Sequence, residues 1–73
     1  MNSIEIFKTN VALKSKAQQL IEELSYRFPD YKVNFDLEDC DRILRVESAS
    51  GAVKISSIMN WLRDKHIECN ILN

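Results

Sequence analysis

At 73 residues, the chain has room for one small domain and no second one. Hydrophobic residues make up 45% and charged residues 29%, an ordinary globular balance and too apolar for a disordered chain. Ten Lys and Arg against eleven Asp and Glu give a net charge of -1, which argues against the basic face a dedicated nucleic-acid binder needs to displace phosphate counterions.

The opening MNSIEIFKTN carries an acid early and no apolar core region, so it does not read as a signal peptide. Within it Ile4 and Ile6 alternate with Glu5 and Phe7, which predicts a strand. On this reading Ile4 and Ile6 face inward, and Glu5 and Phe7 face outward. Ser15-Lys16-Ala17-Gln18 then matches a capping box. Behind it Ala17, Leu20, Ile21, Leu24 and Phe28 form one helical stripe, which Pro29 ends. Tyr31, Val33 and Phe35 alternate with Lys32, Asn34 and Asp36, giving a second strand. The acidic stretch Glu38-Asp39-Cys40-Asp41 is a turn, and a third strand runs from Arg42 to Glu47 with Leu44 and Val46 inward. After the loop Ser48 to Gly51, the residues Ile55, Ile58, Met59 and Leu62 predict a helix ending near Lys65. Ile67, Cys69 and Ile71 alternate with Glu68, Asn70 and Leu72 in a final strand.

This order predicts an α+β, ferredoxin-like βαββαβ sandwich formed by residues 1–73 as a single domain. Its sheet order would be four-one-three-two, all antiparallel, with both helices on one face. The loop after the first strand, the hairpin tip and the loop after the second helix then share one rim. Cys40 and Cys69 share no CxxC spacing and read as free thiols of a reducing compartment, which places the protein in the cytoplasm. No apolar run is long enough to span a bilayer.

From Ile4 to Leu72, the topology, length and spacing of apolar positions resemble the heavy-metal-associated domain family, the small copper chaperones and soluble domains of metal-pumping ATPases. Members of that family hold metal on a CxxC motif in the loop after the first strand, with core positions four and eight residues beyond the second cysteine. Taking Leu20 and Leu24 as those core positions puts the cysteine sites at Leu13 and Lys16. Leu13 has no lone pair to donate, and Lys16 brings an ammonium where a cation would sit. The family's glycine and aromatic before the last strand are replaced by His66 and Ile67. The resemblance therefore implies the fold but no metal site.

Other chemistry is sparse. Cys40 and His66, helped by Glu38, Asp39 and Asp41, define an alternative copper or zinc site through non-family ligands. Against it, the four-one-three-two order separates the hairpin tip from the last strand by roughly 10 Å or more at the ~4.8 Å strand spacing. His66 is better read as a helix C-terminal residue, and the acidic tip as solvated surface or a docking point for a basic partner. Cys69 should face the core. One glycine rules out a glycine-rich phosphate loop, and one histidine on a loop supports no nucleophilic triad, so an enzyme is not expected. The open sheet face is expected to show Phe7, Ile43 and Leu72 as an uncovered apolar cluster for a protein partner or a homodimer, with Trp61 flanking the core. These features predict a non-enzymatic binding or regulatory module without cofactor, and with neither nucleic acid nor membrane as partner.

Overall fold

A computed structural model describes residues 3–38 and 40–72. The elements are β1 (Ser3–Thr9), α1 (Lys14–Arg27), β2 (Tyr31–Asp36), β3 (Ile43–Ser48), α2 (Ile55–Asp64) and β4 (Cys69–Ile71). They form a four-stranded antiparallel sheet in the order β2-β3-β1-β4, the ferredoxin-like arrangement that the sequence pattern predicts. Both helices bury their apolar stripes on the same face of it. Ala17, Leu20 and Leu24 from α1 and Ile58 and Leu62 from α2 meet Phe7, Val33, Leu44, Val46 and Cys69 from the strands in one core. No described helix is long and apolar enough to cross a membrane.

The strand registers fix which side chains share a face. Phe7 lies opposite Leu44 of β3 and Ile71 of β4, and residues directly opposite one another in antiparallel strands point to the same side. Phe7 is therefore a core residue, 0% exposed, and not a member of the open face. Glu5 turns to the same side with it, half-buried, whereas Ile4 and Ile6 face outward. The physical reason lies just beyond the strand. The chain continues with Thr9 and Val11 on the Phe7 side, both buried, while the Ile4 and Ile6 side continues with Lys8 and Asn10, both exposed.

Helix α1 also begins differently from the Ser15 capping box. It starts at Lys14 with Leu13 as N-cap in extended conformation and without a side-chain cap; Ala17 N–H donates to the Leu13 carbonyl at 3.0 Å. Ser15 is an exposed residue of the first turn. Thr9 supplies the local hydroxyl instead, accepting from Val11 N–H at 3.2 Å and donating to the Arg42 carbonyl at 2.7 Å. Its side chain thus ties the end of β1 to the hairpin while Val11 drops into the core.

At its C-terminus α2 closes with a Schellman motif. His66 N–H donates to the Arg63 carbonyl at 2.9 Å and Ile67 N–H to the Leu62 carbonyl at 3.0 Å. This geometry requires the intervening residue to be left-handed, and His66 has φ 62°. The cap occupies the residues just before β4, so that strand pairs only over Cys69–Ile71. Trp61 packs half-buried against the core, with the Lys65 ammonium 5.2 Å from its ring centroid and 2.9 Å from a Glu23 carboxylate oxygen on α1.

Candidate functional site

Two regions gather the residues singled out by sequence. The first is the rim. There the loop after β1 touches the hairpin on one side and the approach to β4 on the other. Thr9 N–H lies 3.3 Å from the Asp41 carbonyl and 3.2 Å from that of Arg42, and the Lys8 ammonium is 3.5 Å from an Asp41 carboxylate oxygen. Across β1, Glu68 N–H donates to the Asn10 side-chain carbonyl at 3.2 Å. The three loops are thus stitched together by backbone and by Asn10.

The ligand-bearing side chains of this rim are not brought together in the same way. Leu13 is 67% exposed at the helix entrance, and Lys16 is half-buried on the first turn. Neither offers a donor pair to a soft cation. Cys40 is exposed on the hairpin, beside β3, whereas His66 caps α2 ahead of β4, with β1 lying between those strands. Among the described residues no group of three or more His, Cys, Asp and Glu side chains is placed to hold a metal ion. Glu38 is exposed, with its N–H donating to an Asp36 carboxylate oxygen at 3.2 Å; Asp39 lies outside the described residues. Cys69 is buried as expected, its sulfur 4.0 Å from the Met59 carbonyl oxygen. Burial pushes its thiol pKa up, and the Arg63 guanidinium pulls more weakly the other way.

The second region is the face of the sheet away from the helices. Across its middle run Asn34, Arg45 and Ile6, with Leu72 beyond them, its N–H donating to the Ile6 carbonyl at 2.9 Å. Ile4 opposes Glu47, and Ile43 is flanked by Lys8 and Asp36. Ile43 and Leu72 therefore lie on the expected face, but Ile43 is buried rather than uncovered, and on β1 Ile4 and Ile6 take that face in place of Phe7. Ile4 is 51% exposed and Leu72 38%. Ile43 is largely buried yet stands outside the helix-side core cluster. Ile6, Ile43, Leu72, Asn34 and Arg45 line a shallow concavity of about 430 Å³. Ile6 and Leu72 stand around this depression over the nearly buried Ile43, with half-exposed Ile4 further along β1 and charged side chains at the rim.

Ile4 and Ile6 were the residues that sequence pattern missed. Over β1 alone both parities carry apolar side chains, so alternation there does not choose between them. The signal lay in extending the count to residue 11, where Val11 favours the Phe7 side and Asn10 the solvent side. Compared with models of known families, with curated proteins and with solved structures, the chain matches none of them.

Proposed function

We propose that this protein is a small, non-enzymatic, cytoplasmic binding module that uses the heavy-metal-associated frame without its metal loop and docks a protein partner on the open face of its sheet. The observation that carries this reading is the open-face concavity lined by Ile6, Ile43 and Leu72, with half-exposed Ile4 beyond it on β1. Burying about 1,000 Å² is the usual threshold for a specific interface.

Several further observations support the reading. The positions corresponding to the family's cysteines hold Leu13 and Lys16 at an intact helix entrance. The backbone of the lone histidine completes a helix cap, and burial pushes the Cys69 thiol pKa up. The strand aromatics Phe7, Tyr31 and Phe35 all turn toward the helices, which takes base-stacking rings off the open face. Lys8, Lys32 and Arg45 are interspersed there with Asp36 and Glu47, a pattern suited to a protein surface rather than to a phosphate backbone. An exposed free cysteine fits a reducing compartment.

The test is retention of cellular protein on immobilised chain, comparing wild type with Ile6→Glu and with Tyr26→Glu. Tyr26 is 90% exposed on α1, far from the sheet's open face. A partner kept by wild type and Tyr26→Glu but lost with Ile6→Glu supports the face. A partner indifferent to Ile6→Glu overturns it.

A further inference from the structure

The sheet has two edges, and they differ. Strand β4 pairs over three residues, a short edge that offers little template for another strand. Strand β2 runs for six residues, about 20 Å, and is bonded only to β3. Beside its C-terminal half lies a groove of about 340 Å³ between the strand and α1, lined by Ala17, Ile21, Phe35 and Leu37 among others. Phe35, Leu37 and Ile21 are only partly buried there.

The sequence of this edge, Tyr31-Lys32-Val33-Asn34-Phe35-Asp36, is complementary to itself when reversed. Two copies related by a two-fold axis can add edge to edge only with a residue on the axis, since any half-step would set open-face side chains opposite helix-side ones. With Asn34 on the axis, Lys32 of each copy opposes Asp36 of the other, and Val33 opposes Phe35. Opposite charges then meet twice on the open face, at the 4.5–5.5 Å Cβ spacing typical of direct cross-strand neighbours. Helix-side apolar residues meet twice beside the two grooves. Moving the axis to Val33 opposes Asp36 to Asp30, a like-charge pair. Moving it to Phe35 leaves only residues 34–36 of each strand paired within its bounds. Glu47 lies on the other side of Lys32 in the same sheet, so the lysine would bridge an acid of its own chain and one of its neighbour.

We infer that the protein self-associates through β2 in antiparallel register centred on Asn34, forming one continuous eight-stranded sheet from two copies. The second copy is the occupant because the edge carries its own complement in charge and in apolar pattern. This interface is made by the backbone edge of β2, whose Asn34 and Asp36 also border the partner-docking concavity, and it sets two such faces side by side.

Sedimentation velocity between about 10 µM and 1 mM tests the pairing. Wild type should pass from monomer to dimer in that range. Lys32→Glu and Asp36→Lys should each raise the dissociation constant about tenfold or more, by turning two favourable cross-strand pairs into repulsive ones. The double variant K32E/D36K should restore dimerisation, and because it retains the changed contact with Glu47, restoration isolates the intermolecular pair. Unchanged urea midpoints would confirm that each variant folds. In a Cys40→Ser background, Asn34→Cys should cross-link to itself under mild oxidation, since paired strands bring opposed Cα atoms to about 4.5–5.5 Å, within disulfide reach. Lys32→Cys in that background should not. A monomer across the whole range, a dimer indifferent to both charge reversals, or a dimer lost instead with Ile6→Glu would each overturn the inference.

Discussion

Phe7→Ala tests the packing of β1 on which the whole assignment of faces depends. Phe7 is 0% exposed and sits in register between Leu44 and Ile71, in the core that the strands share with both helices. Truncating a buried phenylalanine costs about 3–5 kcal/mol, from lost transfer energy and from the cavity left behind. At roughly 0.05–0.15 kcal/mol per residue, a domain of this size has about 4–11 kcal/mol of stability in total, so the substitution removes a large share of it. With each kcal/mol worth about 4–8 °C in so small a domain, the melting temperature should fall by roughly 12 °C or more. Ile4→Ala, at a side chain 51% exposed on the opposite face, should cost under about 1 kcal/mol. Urea unfolding followed by Trp61 fluorescence and by circular dichroism measures both variants on one scale. A loss below about 1 kcal/mol for Phe7→Ala, combined with several kcal/mol for Ile4→Ala, would show that β1 presents the other parity and would remove the open-face cluster.

Thr9→Val keeps the volume but leaves the Val11 N–H without its acceptor and removes the hydroxyl bond to the Arg42 carbonyl; it should cost about 1–3 kcal/mol in urea unfolding, and a neutral result would contradict the stitching role of Thr9. His66→Gly should be more stable than His66→Ala by about 1 kcal/mol, because only glycine takes the left-handed cap position without a Cβ penalty; equal stabilities would refute that geometry. In the native chain, iodoacetamide should modify exposed Cys40 quickly and buried Cys69 only on unfolding, which mass spectrometry resolves site by site; equal rates would contradict the burial. Folding keeps the Cys69 thiol protonated at pH values where the unfolded chain, with an ordinary thiol pKa of about 8.5, has released its proton. Its contribution to stability is therefore fully present below that pH and declines as pH rises through the higher folded value, whereas Cys69→Ala should lack this alkaline decline in urea midpoint.

The fold was legible because its strongest signals agreed with one another. The α1 stripe ended by Pro29, the β2 and β3 alternation around an acidic turn, and the amphipathic α2 each predict the element found, and their order admits one sheet topology. The faces of β1 were less legible, since Ile4, Ile6 and Phe7 offer apolar residues on both sides of a short strand. Only the burial of Val11 in the following loop breaks the tie. The Ser15 capping box is absent because the helix begins one residue before that serine, a boundary set by how Thr9 and Val11 are anchored. His66 was placed correctly at the end of α2, but its left-handed backbone carries no sequence signal stronger than a position between Lys65 and Ile67. At the rim, spacing could show that Leu13 and Lys16 offer no ligands. It could not show that the Asn10 side chain bridges the loop to the Glu68 backbone.

A two-dimensional amide NMR titration with Cu(I) and then Zn(II), under reducing conditions and with both thiols intact, asks most directly whether the rim around residues 10–16 binds metal. The account predicts amides of the 10–16 loop, Cys40 and His66 that do not move in a saturable way, while the Ile4, Ile6, Ile43 and Leu72 face remains free to be mapped with a partner. Saturable shifts confined to that loop, Cys40 and His66, abolished by Cys40→Ser, would contradict it and return the rim to metal chemistry.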